Sequence, residues 1–502
     1  MAHTFAYALR ISTLALCLAA LCPATAFSQT SSDVSSAATP TAAHVAYVYV
    51  GTSKGVYLYN ATSSGSLSLV SGSPFSIAGS AVGSNGKYFL SLGTNYLHSY
   101  PVASNGAIKG QSAQINTALH QGAECGTTFG GTIDRTGTEA YVLFDWTGPY
   151  DEGCDALQSY KINATTGAFT FGGVAQFGGT ASQVLGSPLV IAGNNGHAYT
   201  FTRHYCANDL TEFYRDRFGV MNLDVSGGNT WPTPPDDNAL YFPISMASDN
   251  QNLPTSHMAI ALHETFDDYC GASGPPSLAS FTVDYNGNTI YNGTMIKSAV
   301  YPTSMTINSQ GNLLAVGGSA SNMDNSGGTQ TSGLQVFLFN GANPIESYTG
   351  VLTTAPINEI RWDNNNLYAL SNSTKKLYAY TVSSSGIIAA PGSPYTIAST
   401  PNALVVVPTS TACSLPSTFG VHICAPANGS TVSSPVLVTA AASATLYFSR
   451  MELWVDGVKK YSTNANPLQT SVTLAAGKHR FAVLAIYGDG NRPESAVYAT
   501  VK

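Results

Sequence analysis

The chain has 502 residues and a mass of 52.2 kDa, too long for one ordinary core, so two or more domains are expected. Only 9% of residues are charged, while glycine numbers 48 and tyrosine 28, which argues against helical bundles and coiled coils and favours strands joined by tight turns. Lys+Arg 20 against Asp+Glu 27 gives a net charge of −7, which excludes a basic nucleic-acid-binding surface as the main theme.

Residues 1–26 read as a signal peptide. Arg10 supplies the positive end, Ile11 to Cys22 is an apolar run too short to span a bilayer, and Ala24-Thr25-Ala26 is a cleavage site of the A-x-A kind. Cys17 and Cys22 in that run would suit a lipoprotein, but each follows a leucine where a small residue is wanted. No later stretch is long and apolar enough to cross a membrane, so an exported chain of periplasmic, cell-surface or extracellular fate is expected. Residues 27–43 are small and polar and read as a disordered linker.

From residue 44 the chain repeats. An alternating strand followed by a polar, glycine-containing turn recurs at 56–67, 97–108, 157–169, 220–229, 278–290, 334–345 and 377–388. Between these copies lies a second unit, a turn followed by a hydrophobic strand, as in SNGKYFLSLG (84–93) and SQGNLLAVGG (309–318). Residues 44–410 allow about 52 residues per copy, the length of a four-stranded propeller blade. With strands labelled A (innermost) to D, the first copy lacks a strand A and the final strand, NALVVV (402–407), lacks B, C and D. The two deficits are complementary. Pairing 402–407 with 45–51 closes a seven-bladed β-propeller with no free sheet edge.

The fragments YVYVGTSKGVYLYN, LSLVSGSPF and LYAYTVSSSGIIAAPGSPYTIASTPNALVVV resemble the seven-bladed lactonase-like propellers, a group that includes 6-phosphogluconolactonase-type enzymes. The resemblance covers about 44–410 and implies lactone or sugar-acid hydrolysis. Such families carry charged residues at the start of strand A, where this chain reads Pro302-Thr303-Ser304, Pro356-Ile357-Asn358 and Pro401-Asn402-Ala403. Residues 413–502 differ in charge, with seven basic and four acidic side chains. Their short alternating strands resemble a bacterial Ig-like β-sandwich domain, with Trp454 as a core aromatic and Asp456-Gly457 as a hairpin turn. The fold class is therefore all-β throughout.

In a propeller the B–C and D–A connections share one face. The long ones here are 111–128, 145–156, 203–217, 263–277 and 319–332, which makes that face the expected binding face. Six cysteines remain after the signal peptide. Placement in neighbouring loops pairs Cys125 with Cys154 and Cys206 with Cys270, while Cys413 and Cys424 clamp the entrance of the last domain. A competing reading assembles zinc from His204, Cys206, His263 and Cys270. The binding residues expected on this face are Arg203, His204, Tyr205, Asp267, Asp268, Tyr269, Asp151 and Glu152. Calcium is conceivable at such oxygen-rich loops, but no calcium-loop spacing is present and no cofactor or metal is assigned. The catalytic candidates are His263 with Glu264, as base and orienting group, and Glu359 with Arg361 on an innermost strand. The expected function is an exported propeller that binds a carbohydrate, peptide or small molecule, without nucleic acid. The alternative is the hydrolase.

Overall fold

The computed structural model describes residues 44–502 except 119–126, 135–136, 146–155, 177–181, 185–189, 193–196, 205–206, 216–220, 226–238, 250–255, 267–270, 273–275, 285–286, 310, 320–329, 364–365, 384–385, 410–412, 414–415, 417–418, 444–447, 464–467 and 488–489. Among the described residues, seven antiparallel sheets of four or five strands precede two sheets of a sandwich. The protein is thus a seven-bladed β-propeller followed by an Ig-like domain. None of the described residues forms a helix long and apolar enough to cross a membrane.

The first blade takes strands B, C and D from His44–Thr52, Gly55–Thr62 and Leu67–Leu69, and strand A from Pro401–Pro408. The register runs from Ala46 opposite Pro408 to Thr52 opposite Pro401. The two chain ends therefore complete one sheet, as the complementary deficit requires.

The core of the propeller lies between blades, not within them. Successive strand residues point to opposite faces. Ala46, Val48 and Val50 pack with Tyr368, Leu370 and Leu377 of the seventh blade, while Tyr47 and Tyr49 pack with Phe89 and Tyr100 of the second. Equivalent clusters join blades two and three, four and five, five and six, and six and seven. Both faces of a B strand are buried, so these strands read as near-continuous apolar runs.

The repeated glycine turn has a docking role. In five blades where the structure describes it, the C–D turn abuts the preceding blade and takes a hydrogen bond from it. Tyr49 Oη donates to Gly106 O (2.8 Å), Ser99 Oγ to Gly167 O (2.8 Å) and Tyr199 Oη to Gly287 O (2.6 Å). Ser280 Oγ reaches Gly341 O (2.5 Å) and Asn366 Nδ2 reaches Thr62 O (3.4 Å). Gly106 and Gly167 sit at φ of 80° and 71°, and a Cβ there would lie 2.6 Å from the Tyr47 ring and 2.5 Å from the Tyr88 ring. Two constraints, backbone hand and close approach, thus keep glycine in the turn.

Two blades depart from the expected strand assignment. In the fourth, 203–217 is not a loop. Strand B is His197–His204 and strand C is Ala207–Arg215, paired from His204 opposite Ala207 to His197 opposite Tyr214. The copy at 220–229 is therefore strand D, Met221–Val225. In the fifth, strand B runs from Ser256 through Phe266, four residues into the expected 263–277 loop, and Gly271–Ala272 pairs with its end.

The C-terminal domain packs a three-stranded and a five-stranded sheet around Val438, Leu453, Phe481 and Val483. Met451, Leu453 and Val455 point inward, which turns Trp454 to the other face of its strand. Trp454 is not a core aromatic. Its Nε1 donates to Glu452 Oε2 (3.2 Å), and Lys459 lies over its ring. Asp456 and Gly457 form the expected hairpin turn, both with positive φ.

Gly167→Ala is expected to destabilise the propeller by about 2–4 kcal/mol, through left-handed backbone strain plus overpacking on Tyr88. Gly293→Ala has φ of 94° but nothing within 4 Å of the added carbon, and should cost distinctly less. Urea unfolding of the two variants decides it, and equal losses would remove the docking explanation.

Candidate functional site

The B–C and D–A connections meet physically where the structure describes them. Strand B of the sixth blade, Leu313–Gly318, leads through 319–332 to strand C, Gly333–Leu338. Near the end of that connection lies Gln330, only 6% exposed. Its Nε2 donates to Pro276 O (3.1 Å), in the B–C connection of blade five, and to Ser298 O (2.9 Å), in the D–A segment entering blade six. Thr331 N donates to Ala299 O (3.0 Å), Tyr301 N donates to Thr331 O (3.1 Å), and Gln335 Oε1 accepts from Ala299 N (3.0 Å). Three separate connections are therefore laced together on one side of the ring. The sequence offered no signal for Gln330, since a glutamine in a Gly- and Ser-rich stretch has no motif.

The opposite side carries short turns closed by their own side chains. Asn85, Asp134, Asp249, Asn308 and Asp363 each begin an A–B turn and accept hydrogen bonds from backbone N–H groups within eight residues downstream. Asp249 also meets His257 Nδ1 at 3.1 Å, and Asp363 accepts from Tyr368 Oη at 2.8 Å. These carboxylates are spent on turn geometry.

His263 is fully buried, in strand B of the fifth blade opposite Phe242. It sits in a sheet rather than a loop, so it does not face solvent as a general base. Glu264 follows in the same strand opposite Tyr241, and only its strand placement is described. Arg203 and His204 end strand B of the fourth blade, again with only the strand placement described. Tyr205, Asp267, Asp268, Tyr269, Asp151 and Glu152 lie outside the described residues, as do Cys125, Cys154, Cys206 and Cys270. The expected bond between Cys413 and Cys424 is present, with Cα atoms 5.3 Å apart.

Glu359 and Arg361 are brought together at the ring's inner edge. Strand A of the seventh blade, Glu359–Trp362, is four residues long and neighbours the closing strand Pro401–Pro408. Glu359 Oε2 accepts from the backbone N–H of Leu404 (3.0 Å). An innermost strand has no ladder partner on its channel side, and this carboxylate satisfies one of those donors. Arg361 Nη2 lies 3.6 Å from the same oxygen, and its Nη1 donates to Ile360 O (2.8 Å). Burial raises the Glu359 pKa, against the opposing pulls of Arg361 and the Leu404 N–H. The arrangement braces the joint between the last and first blades. It also leaves a carboxyl, 26% exposed, at the channel.

Residues 420–483 match the family model of the bacterial Ig domain. Among solved structures, the chain is similar to a candidate 6-phosphogluconolactonase from Bacteroides fragilis, at 11% identity and a TM-score of 0.49 over 72% of this chain and 98% of that one. It is similar to the periplasmic gluconolactonase of Pseudomonas aeruginosa at 9% identity and a TM-score of 0.40, over 86% and 100%. The fibronectin(III)-like modules of Clostridium thermocellum CbhA match at 23% identity and a TM-score of 0.16, over 16% and 94%. No curated protein matches the chain in sequence.

Glu359→Gln keeps an acceptor for Leu404 N–H and should change stability by less than about 1 kcal/mol near neutral pH, whereas Glu359→Ala strands that donor and should cost about 1–3 kcal/mol. The pH dependence has a definite sign. A carboxyl whose pKa is higher folded than unfolded stabilises fully below the ordinary value of 4.5, and that contribution fades as pH rises through the folded pKa. Relative to wild type, Glu359→Gln should therefore gain stability as pH climbs past 4.5. Denaturant midpoints collected from pH 4 to 8 test this, and a difference that stays flat would refute the burial assignment.

Proposed function

We propose that the protein is an exported binding propeller, whose carbohydrate, peptide or small-molecule ligand sits on the face of the B–C and D–A connections. The observation that carries this reading is the lacing of 276, 298–301 and 330–335 by the side chains of Gln330 and Gln335 and the backbone of Thr331. Ordered connections on a rigid ring supply a preorganised surface, and preorganisation lowers the cost of binding. The signal-like segment and the Cys413–Cys424 bond suit an oxidising compartment outside the cytoplasm. The Ig-like domain would act as a spacer or tether.

One observation favours a second reading, lactone or sugar-acid hydrolysis. Glu359 is a channel-side carboxyl with a raised pKa beside a guanidinium, a pairing suited to proton transfer next to an anionic intermediate. Its bond to Leu404 and the burial of His263 weigh against it, since Glu359 is committed to a backbone donor and His263 does not face solvent.

The experiment is a glycan and peptide array with the full-length chain, alongside a lactone hydrolysis assay. Binding is expected, with Gln330→Ala weakening it at least about tenfold, or 1.4 kcal/mol, while circular dichroism is unchanged. Binding undiminished in that variant would move the ligand off this face. Lactone turnover that disappears in Glu359→Gln would replace the binding reading with the hydrolase.

A further inference from the structure

The first strand of the Ig-like domain, Val421–Ala425, is an edge strand of the three-stranded sheet. Its register against Val436–Ala442 shifts between Ile423 and Ala425, so Cys424 occupies a β-bulge. Bulges re-aim side chains and gather next to sites. His422 and Cys424 are two positions apart, and the Cys424 sulfur lies 3.6 Å from His422 Nδ1. Cys413 comes from the segment that leads into the strand. The three side chains bring two sulfurs and one imidazole nitrogen within 4.8 Å of one another. Cys413 is buried, Cys424 partly so, and His422 is exposed.

These are soft donors. Thiolate and imidazole select zinc over calcium or magnesium, which take oxygen. The geometry also fits. Zn–S of about 2.3 Å and Zn–N of about 2.05 Å at a tetrahedral angle separate sulfur from nitrogen by about 3.6 Å. The observed Cys424–His422 separation has that value. Two zinc-bound sulfurs lie about 3.8 Å apart, so the S–S bond must open before both can bind one ion.

We propose that Cys413, Cys424 and His422 form a redox-gated zinc site, closed as a disulfide and open to Zn²⁺ when reduced, with water as the fourth ligand. A small thiol reductant gives two electrons and two protons to the Cys413–Cys424 bond and itself becomes a disulfide. Two thiols result. Zn²⁺ then takes both sulfurs as thiolates and the neutral Nδ1 of His422, and the two thiol protons leave. Reoxidation by a small disulfide restores the Cys413–Cys424 bond and releases the ion. The entrance of the domain is held to its edge strand in either state, by a covalent bond or by a metal.

The site is tested on the full-length chain, reduced with a small thiol and desalted without oxygen. It is then titrated with Co²⁺ as a spectroscopic stand-in, followed by Zn²⁺. Other cysteines are controlled by difference. Wild type should bind one more ion than Cys413→Ser/Cys424→Ser, with additional sulfur-to-cobalt charge-transfer absorption that Zn²⁺ removes. Changes outside the ligand set alone cost about 10–100-fold in affinity, so His422→Ala, an exposed substitution, should weaken this extra ion at least about tenfold. The oxidised protein should lack it. Equal stoichiometry in wild type and the double variant, uptake unaffected by oxidation, or unchanged affinity in His422→Ala would each overturn the proposal.

Discussion

Everything in the propeller depends on one pairing, that of Pro401–Pro408 with His44–Thr52. The two segments are separated by about 350 residues, and closing so long a loop costs on the order of 5 kcal/mol. Leu404 and Val405, both nearly fully buried by the pairing, return about 3–6 kcal/mol. Each new ladder hydrogen bond adds about 1 kcal/mol. Closure is thus favourable without a large margin, and it consumes the edges that an open array of blades would expose. The joint is also where a charged pair appears, because the closing strand has a backbone donor on its channel side. Glu359 answers that donor from the neighbouring blade.

Closure decides what the rest of the surface can do. Where the structure describes them, the blades spend both faces on their neighbours, and the C–D turns are committed to the preceding blade. Side chains in strands B and C therefore have little freedom to act on a ligand. Tyrosine shows this. Tyr49, Tyr160 and Tyr368 are almost wholly buried, and burial drives their hydroxyl pKa values upward. The hydroxyls of Tyr49 and Tyr199 are held by carbonyls of the next blade. These buried tyrosines thus build interfaces between blades. Among the described residues, Gln330 lies in the connections and the Glu359–Arg361 pair at the inner edge, outside these interfaces.

The parts of the fold legible in the sequence are those set by local period and by topology. Alternation with a glycine turn marks strand C because the turn must dock against a neighbour's ring. The missing strands at the two ends implied closure because a sheet edge must be paired. The fourth blade was harder to read. Ala207–Arg215 carries Asn208, Asp209, Glu212 and Arg215 among its apolar residues, so polar and apolar groups fall on both faces and alternation is lost. Strand ends were also hidden. His263 looked like a loop residue beside acidic neighbours, yet the backbone ladder continues through it to Phe266. Trp454 misled for a different reason. Ring size suggested a core position, but the parity of Met451, Leu453 and Val455 was the stronger signal, and it turns the indole outward.

The same reasoning separates the two candidate chemistries on the ring. A general base must be near its substrate and free to change its hydrogen bonds during the reaction. Glu359 meets the first condition only by exposing one edge at the channel, and it meets the second only by releasing Leu404 N–H. That release would leave the closing strand with an unanswered donor at the joint the ring relies on. A group that holds the structure closed is poorly suited to cycling through protonation states. The laced connections carry no such burden, because the blades stay packed whatever occupies the surface above them. Physical economy of roles therefore ties Glu359 to the stability of the inner edge.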